Sequence, residues 1–233
     1  MKFIIGNWKS NGTIEEKDAM FKSLKNVRTN NKIVLCLPFT LLDKNISHAH
    51  LGAQDISIHP NGAFTGDISG KMLKDAGVEC VLVGHSERRL YHNETNDIVK
   101  NKAKVALDNQ IVPIICIGET LEEKKTGRTM TAVKKMLLES IPDKYGDYII
   151  AYEPRWAIGT GLTPTLEEIS AVHETIFKAL RGIEHEDTPI LYGGSVNMDN
   201  ASQISSLPHV DGLLIGGASL KSETFLPIIN VVK

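Results

Sequence analysis

From Tyr148 to Glu168 the chain reads YIIAYEPRWAIGTGLTPTLEE. Tyr148 to Ala151 form a short, continuous apolar run of the kind buried on both faces in a parallel sheet. A single carboxylate, Glu153, closes the run, and the chain passes directly into a loop of small residues. Thr165 and Glu168 then stand at capping-box spacing, and Ile169, Val172, Ile176 and Leu180 recur with the period of a helix that lays one face on a sheet. The unit is strand, loop, helix. Its carboxylate sits at the carboxyl end of the strand, where open α/β sheets and α/β barrels both place ligands.

The same unit recurs along the chain. Strands are predicted at Phe3 to Gly6, Ile33 to Leu37, Leu51 to Gln54, Cys80 to Val83, Val112 to Ile117, Tyr148 to Tyr152, Pro189 to Leu191 and Gly212 to Ile215. Thr13 with Glu16 repeats the capping-box spacing. Asn96 or Thr95 opens a helix over Val99 to Leu107, with its lysines expected outward and Val, Ala and Leu inward. Strands alternating with helices argue a parallel sheet with right-handed crossovers. Eight such units in 233 residues, with no Pro/Gly/Ser-rich linker, favour one closed (β/α)8 barrel, a TIM barrel, spanning 1–233 as a single domain; such barrels typically run to ~250 residues. A doubly wound sheet with two glycine-rich turns is the alternative.

Composition narrows the function. A net charge of −2 gives no global attraction to nucleic acid or to an anionic membrane, and no run approaches the ~20 apolar residues of a membrane helix. Lys124-Lys125 and Lys134-Lys135 read as solvated helical surface. The first residues turn polar too soon for a signal-peptide core, so a soluble cytoplasmic protein is expected. Cys36, Cys80 and Cys116 lie in apolar runs without CxxC spacing and read as buried thiols of a reducing compartment. No set of His, Cys, Asp and Glu has metal-ligand spacing, so no metal is expected.

Polar or glycine residues follow nearly every predicted strand, and in a barrel they converge on one face. Tyr192-Gly193-Gly194-Ser195 and Ile215-Gly216-Gly217-Ala218-Ser219 are glycine turns after the last two strands, where backbone amides can meet an anion such as a phosphate; tight strand-to-helix turns also need glycine. Of the eight histidines, His85 stands out, at a strand end just before a helix. An imidazole at a helix N-terminus tends to stay neutral and can donate a hydrogen bond to a carbonyl oxygen. The other seven read as surface or packing residues. Asn7 and Lys9 follow the first strand on the same face.

Asn7-Trp8-Lys9, Gly62 to Asp67, Gly84-His85-Ser86-Glu87-Arg88-Arg89, Cys116-Ile117-Gly118-Glu119, Ala151 to Gly161 and the two glycine turns occur in an order that resembles the triosephosphate isomerases over the whole chain. The resemblance implies an aldose–ketose isomerase of glycolysis and gluconeogenesis that needs no cofactor. Its small-molecule substrates would be dihydroxyacetone phosphate and glyceraldehyde 3-phosphate. Glu153 would be the base, His85 a neutral electrophile, and Lys9 and Asn7 would stabilise charge on an enediolate. Glu87, as a buried carboxylate, and Cys116 would be supporting residues. Gly159, Ser195, Gly216 and Gly217 match phosphate-binding positions, and Trp156, Ala157, Ile158, Gly159 and Thr160 match a lid. A homodimer is implied too, with Thr65 at the tip of a loop, Ala63 to Asp67, that enters the partner, and Arg88 as a candidate partner for Asp67.

Two positions depart from the family pattern. Arg155 replaces an aliphatic residue in the first lid hinge. Pro164, in the second hinge Leu162-Thr163-Pro164, has no N–H to offer Tyr192, whose counterpart in relatives bonds a hinge amide. The rival functions are another phosphate-binding barrel, such as a sugar-phosphate isomerase of amino-acid biosynthesis, and a non-catalytic barrel kept as a scaffold. The first would not need Glu153, His85 and Lys9 together, and the second would have lost the base or the electrophile, whereas Glu153 and His85 are both present.

Overall fold

The structure is a computed structural model that describes residues 1–143, 146–158 and 162–233. Eight strands follow in chain order around a closed barrel: β1 (Phe3–Asn7), β2 (Lys32–Leu37), β3 (His50–Ala53), β4 (Cys80–Val83), β5 (Val112–Ile117), β6 (Ile149–Tyr152), β7 (Ile190–Tyr192) and β8 (Gly212–Ile215). Each is parallel to its neighbours, and β8 pairs back onto β1 from Phe3↔Gly212 to Gly6↔Ile215. That last pairing excludes the doubly wound alternative, whose sheet would have two free edges. Three strands have the predicted bounds, and the other five differ by a single residue at one or both ends.

Between the strands run α1 (Ile14–Leu24), α2 (Gly70–Asp75), α3 (Ser86–Tyr91), α4 (Asn96–Asp108), α5 (Leu121–Lys125), α6 (Thr129–Ser140), α7 (Leu166–Arg181), α8 (Met198–Ser205) and α9 (Ser222–Val231). Thr13, Thr120 and Thr165 each close a capping box with the glutamate three residues on, and Thr95 caps α4. Each cap satisfies an otherwise orphaned amide and contributes about 1 kcal/mol.

Two apolar layers follow from the strand period of two. Ile5, Val34, Cys36, Ile114, Cys116 and Leu214 fill the barrel interior. Their neighbours Ile4, Ile33, Leu35 and Ile115 face outward onto Met20, Leu24 and other helix residues. All three cysteines are buried free thiols. Among the described residues no helix is long and apolar enough to cross a membrane.

One lysine of α4 departs from expectation. Lys102 is buried, with Nζ 2.5 Å from Asp55 Oδ1 and 2.6 Å from Glu94 Oε1, and Arg88 binds the same two carboxylates. Lys102 stands three residues after Val99 and four before Ala106, so helical spacing alone puts it on the inner face. Its charge, which suggested solvent, is accommodated by two acids from other segments.

Candidate active site

The carboxyl ends of the strands gather the polar residues. Asn7 ends β1, and Lys9 lies beyond it at φ +53°, a left-handed conformation rare for a side chain of this kind. Two side chains hold it: Asn7 Oδ1 accepts the Lys9 N–H at 2.9 Å, and Gln54 Nε2 donates to the Lys9 carbonyl at 2.8 Å. A sparsely populated backbone fixed from both sides marks a position that the fold over-determines. Lys9 Nζ reaches Glu87 Oε1 at 2.6 Å.

His85 follows β4 and caps α3, its Nδ1 accepting the Glu87 N–H at 3.3 Å. This bond assigns the ring proton to Nε2, which lies 3.0 Å from Glu153 Oε1. Arg89 staples the region, donating to the Gly84 carbonyl at 2.8 Å and to the Cys116 carbonyl at 3.1 Å across β4 and β5.

Glu153 comes directly after β6 and is buried, its Oε2 accepting the Ser86 N–H at 3.1 Å. Glu153 N–H bonds the Ile117 carbonyl at 2.7 Å, and a Cβ on Gly118 would fall 1.8 Å from the Glu153 carbonyl oxygen, so this crossing of chains requires glycine. Burial pushes the Glu153 carboxyl up, but His85, the Ser86 N–H and Lys9 outweigh it and hold the group below its usual range. Burial pulls His85 down, while Glu153 and, less strongly, Glu87 push it up, and its net shift is upward. Most of that upward push lasts only while the Glu153 carboxylate is its neighbour.

These side chains line a cavity of about 230 Å³: Asn7, Lys9, His85 and Glu153 on one side, Ser195, Gly216 and Gly217 on the other, with Ile158 alongside. A Cβ on Gly217 would meet nothing within 4 Å, and one on Gly216 only the end of Lys9. Packing within the chain therefore does not demand glycine at either position.

Not every expected residue sits as anticipated. Glu87, expected as a buried carboxylate, is half-exposed at 41% because its side chain leans out to Lys9. Cys116 lies in the barrel interior beside Glu153, and burial pushes its thiol well up. Thr65 is exposed at the tip of its loop. Arg88 is held by Asp55 and Glu94 of its own chain, while Asp67 accepts from Ser57 Oγ at 2.5 Å. Gly159 and Thr160, with Gly161, lie outside the described residues. Among the described residues no group of three His, Cys, Asp or Glu side chains is placed to hold a metal ion.

Glu119 was not singled out. It is buried two residues past β5 and accepts Trp156 Nε1–H at 2.8 Å and Tyr152 O–H at 3.3 Å. Its signal was available: like Glu153, it is a carboxylate just beyond an apolar strand, behind a glycine.

The family model described as Triosephosphate isomerase matches residues 2–232. The chain belongs to the triosephosphate isomerase family. The triosephosphate isomerase of Alkaliphilus metalliredigens is 43% identical over 97% of this chain and 98% of that protein. That of Cupriavidus pinatubonensis is 42% identical, over 98% of each. A crystal structure of triosephosphate isomerase from Bartonella henselae superposes with a TM-score of 0.91 at 38% identity, covering 99% of this chain and 98% of that one.

As a triosephosphate isomerase family member, the chain carries its departures at the lid ends. Tyr192 is buried and its hydroxyl finds no hydrogen-bond partner among the described residues, as the proline at 164 leads one to expect. The hydroxyl packs where a Cβ on Gly194 would be, 2.1 Å away. On the other side, Ser195 Oγ–H donates to the Ala157 carbonyl at 3.0 Å, and the Arg155 N–H bonds the Glu119 carbonyl at 3.1 Å.

Proposed function

We propose that the protein interconverts dihydroxyacetone phosphate and D-glyceraldehyde 3-phosphate, in glycolysis and gluconeogenesis, by proton transfer through an enediolate. The observation that carries this reading is the convergence of Glu153, His85 and Lys9 on one cavity that two glycine turns close from the other side. Glu153 leaves the Ser86 N–H, turns to the substrate and removes a proton from the carbon beside the carbonyl. His85 Nε2–H donates to the carbonyl oxygen as negative charge grows there, and Lys9 with Asn7 stabilises that charge. Glu153 then returns the proton to the neighbouring carbon. Ser195, Gly216 and Gly217, with Gly159, hold the phosphate through hydroxyl and backbone N–H donors.

The whole chain, 1–233, acts as one catalytic domain in the cytoplasm, as a homodimer. Support for the dimer comes from the Thr65 loop, whose base is closed by Ser57 N–H to the Ile68 carbonyl at 2.9 Å and whose flank is stiffened by His59 stacked on Phe64 at 3.8 Å. Phe64, next to Thr65 on this loop, leaves 41% of its surface exposed, an apolar side chain available to a partner. Sedimentation at micromolar concentration tests the assembly: a monomer of full activity overturns it.

The activity is tested by following glyceraldehyde 3-phosphate consumption coupled to reduction of the ketose product. Turnover in D2O with deuterium entering at the carbon that receives the proton supports a carboxylate base. Product without deuterium at any stage argues for a hydride shift and against Glu153.

A further inference from the structure

Trp156, first residue of the lid segment, is gripped from two sides. Its Nε1–H donates to Glu119 Oε1 at 2.8 Å, and Lys124 Nζ lies 3.6 Å from the centre of its ring. An ammonium over an indole face at this distance is attracted by the ring quadrupole. Glu168 Oε1 holds Lys124 there at 3.0 Å, while Glu168 Oε2 accepts the Thr165 N–H at 2.9 Å in the box that starts α7. One cation thus touches the residue where the chain leaves β6 and the carboxylate where it enters α7. Both grips come from the stretch just after β5, Glu119 from the turn and Lys124 from α5, because the Thr120–Glu123 box starts that helix directly behind Glu119. Fixing Trp156 fixes Ala157, whose carbonyl accepts from Ser195 Oγ.

We propose that Lys124 is a positioning residue: by holding the face of Trp156 it sets the Ala157–Ser195 contact, and with it the side of the cavity that takes the substrate phosphate. The kinetic consequence rests on the role assigned above to Ser195; the contact with Trp156 does not. Lys124→Met removes the charge at similar length, Lys124→Arg keeps it, and Glu168→Gln loosens Lys124 while preserving a capping-box residue.

The chain has two tryptophans, so its indole N–H resonances are two, and Trp8, buried with its Nε1–H on the Ser219 carbonyl at 3.0 Å, serves as the internal reference. Lys124→Met should shift the Trp156 resonance, leave that of Trp8 in place, and raise KM for glyceraldehyde 3-phosphate about three- to tenfold with kcat within about twofold. Lys124→Arg should restore both quantities, and Glu168→Gln should move them part of the way. A Trp156 resonance unmoved in Lys124→Met, or an arginine variant no nearer the parent than methionine, overturns the proposal. If the parent protein shows no isomerase activity, the assigned function fails on its own, and the Trp156 resonance still decides the role of Lys124.

Discussion

Replacing Glu153 with aspartate keeps the charge and withdraws the carboxylate by about 1.5 Å, the length of one C–C bond. The backbone is unable to follow. Its N–H is bonded to the Ile117 carbonyl at 2.7 Å, and its carbonyl already fills the space in front of Gly118. The contact with His85 Nε2 would lengthen from 3.0 Å to about 4.5 Å, outside hydrogen-bond range. A base misplaced by an ångström or more loses about 10²- to 10³-fold in kcat, which is about 2.7 to 4.1 kcal/mol of transition-state stabilisation. KM should stay within a few-fold, because the glycine turns across the cavity are untouched. The coupled isomerase assay measures both constants. A Glu153→Asp protein with kcat within tenfold of the parent would show that the carboxylate is not the base, or that the chain around Gly118 yields far more than its contacts imply.

Three further outcomes follow from the same contacts. Tyr192→Phe removes a buried hydroxyl that bonds nothing among the described residues, so kcat/KM should fall by less than about tenfold, ~1.4 kcal/mol, with no loss of thermal stability; a hundredfold loss would mean that this hydroxyl latches the lid during turnover. Lys102→Met strips the shared cation from Asp55 and Glu94, and urea unfolding should report a loss of about 3 to 5 kcal/mol; a loss under about 1 kcal/mol would mean that Arg88 alone suffices. His173 is fully buried, and burial pulls it from 6.5 to about 4 despite its bond to the His209 carbonyl. The unfolded chain therefore binds more protons than the folded one between those values, and stability should drop as pH falls through 6.5 toward 4, by up to about 3 kcal/mol. His173→Phe should flatten that slope, and an unchanged slope would clear His173 of the effect.

Strands and helix starts were legible because they are written locally. The run Ile149 to Tyr152 is apolar throughout, and each Thr-x-x-Glu box is a four-residue signal that the fold uses as it stands. The ligand-facing side was legible for a related reason: a barrel puts every strand's carboxyl end on one rim, so Asn7, His85, Glu153 and Gly216 converge once eight strands are counted. What escaped depends on residues far apart in the chain. The charge of Lys102 is met inside the fold by Glu94 and by Asp55, the latter 47 residues earlier. Glu87 is half-exposed because Lys9, 78 residues earlier, draws its side chain outward.

The escaping contacts share a physical origin that bears on the chemistry. A buried charge without a partner costs several kcal/mol, so a fold that keeps ionisable groups in a cavity must pair them. Here the pairs form among the site residues themselves: Glu153 with His85, Lys9 with Glu87, Glu119 with the Trp156 N–H. Glu153, Lys9 and Glu119 therefore each present to the sequence reader as a lone polar residue just past an apolar strand, with the partner in a different part of the chain. The base and the electrophile of the proposed reaction hold one another's charge in place, and this pairing moves them in opposite senses, Glu153 down and His85 up. A substrate that draws Glu153 away from His85 removes the main cause of the upward shift and leaves burial, the Glu87 N–H on Nδ1 and the Lys9 charge set against the Glu87 carboxylate. The first three favour the neutral imidazole, and Glu87, itself bound by Lys9 at 2.6 Å, favours the charged ring. The movement that delivers the base to carbon thus also shifts the electrophile toward the neutral donor that the developing oxyanion needs.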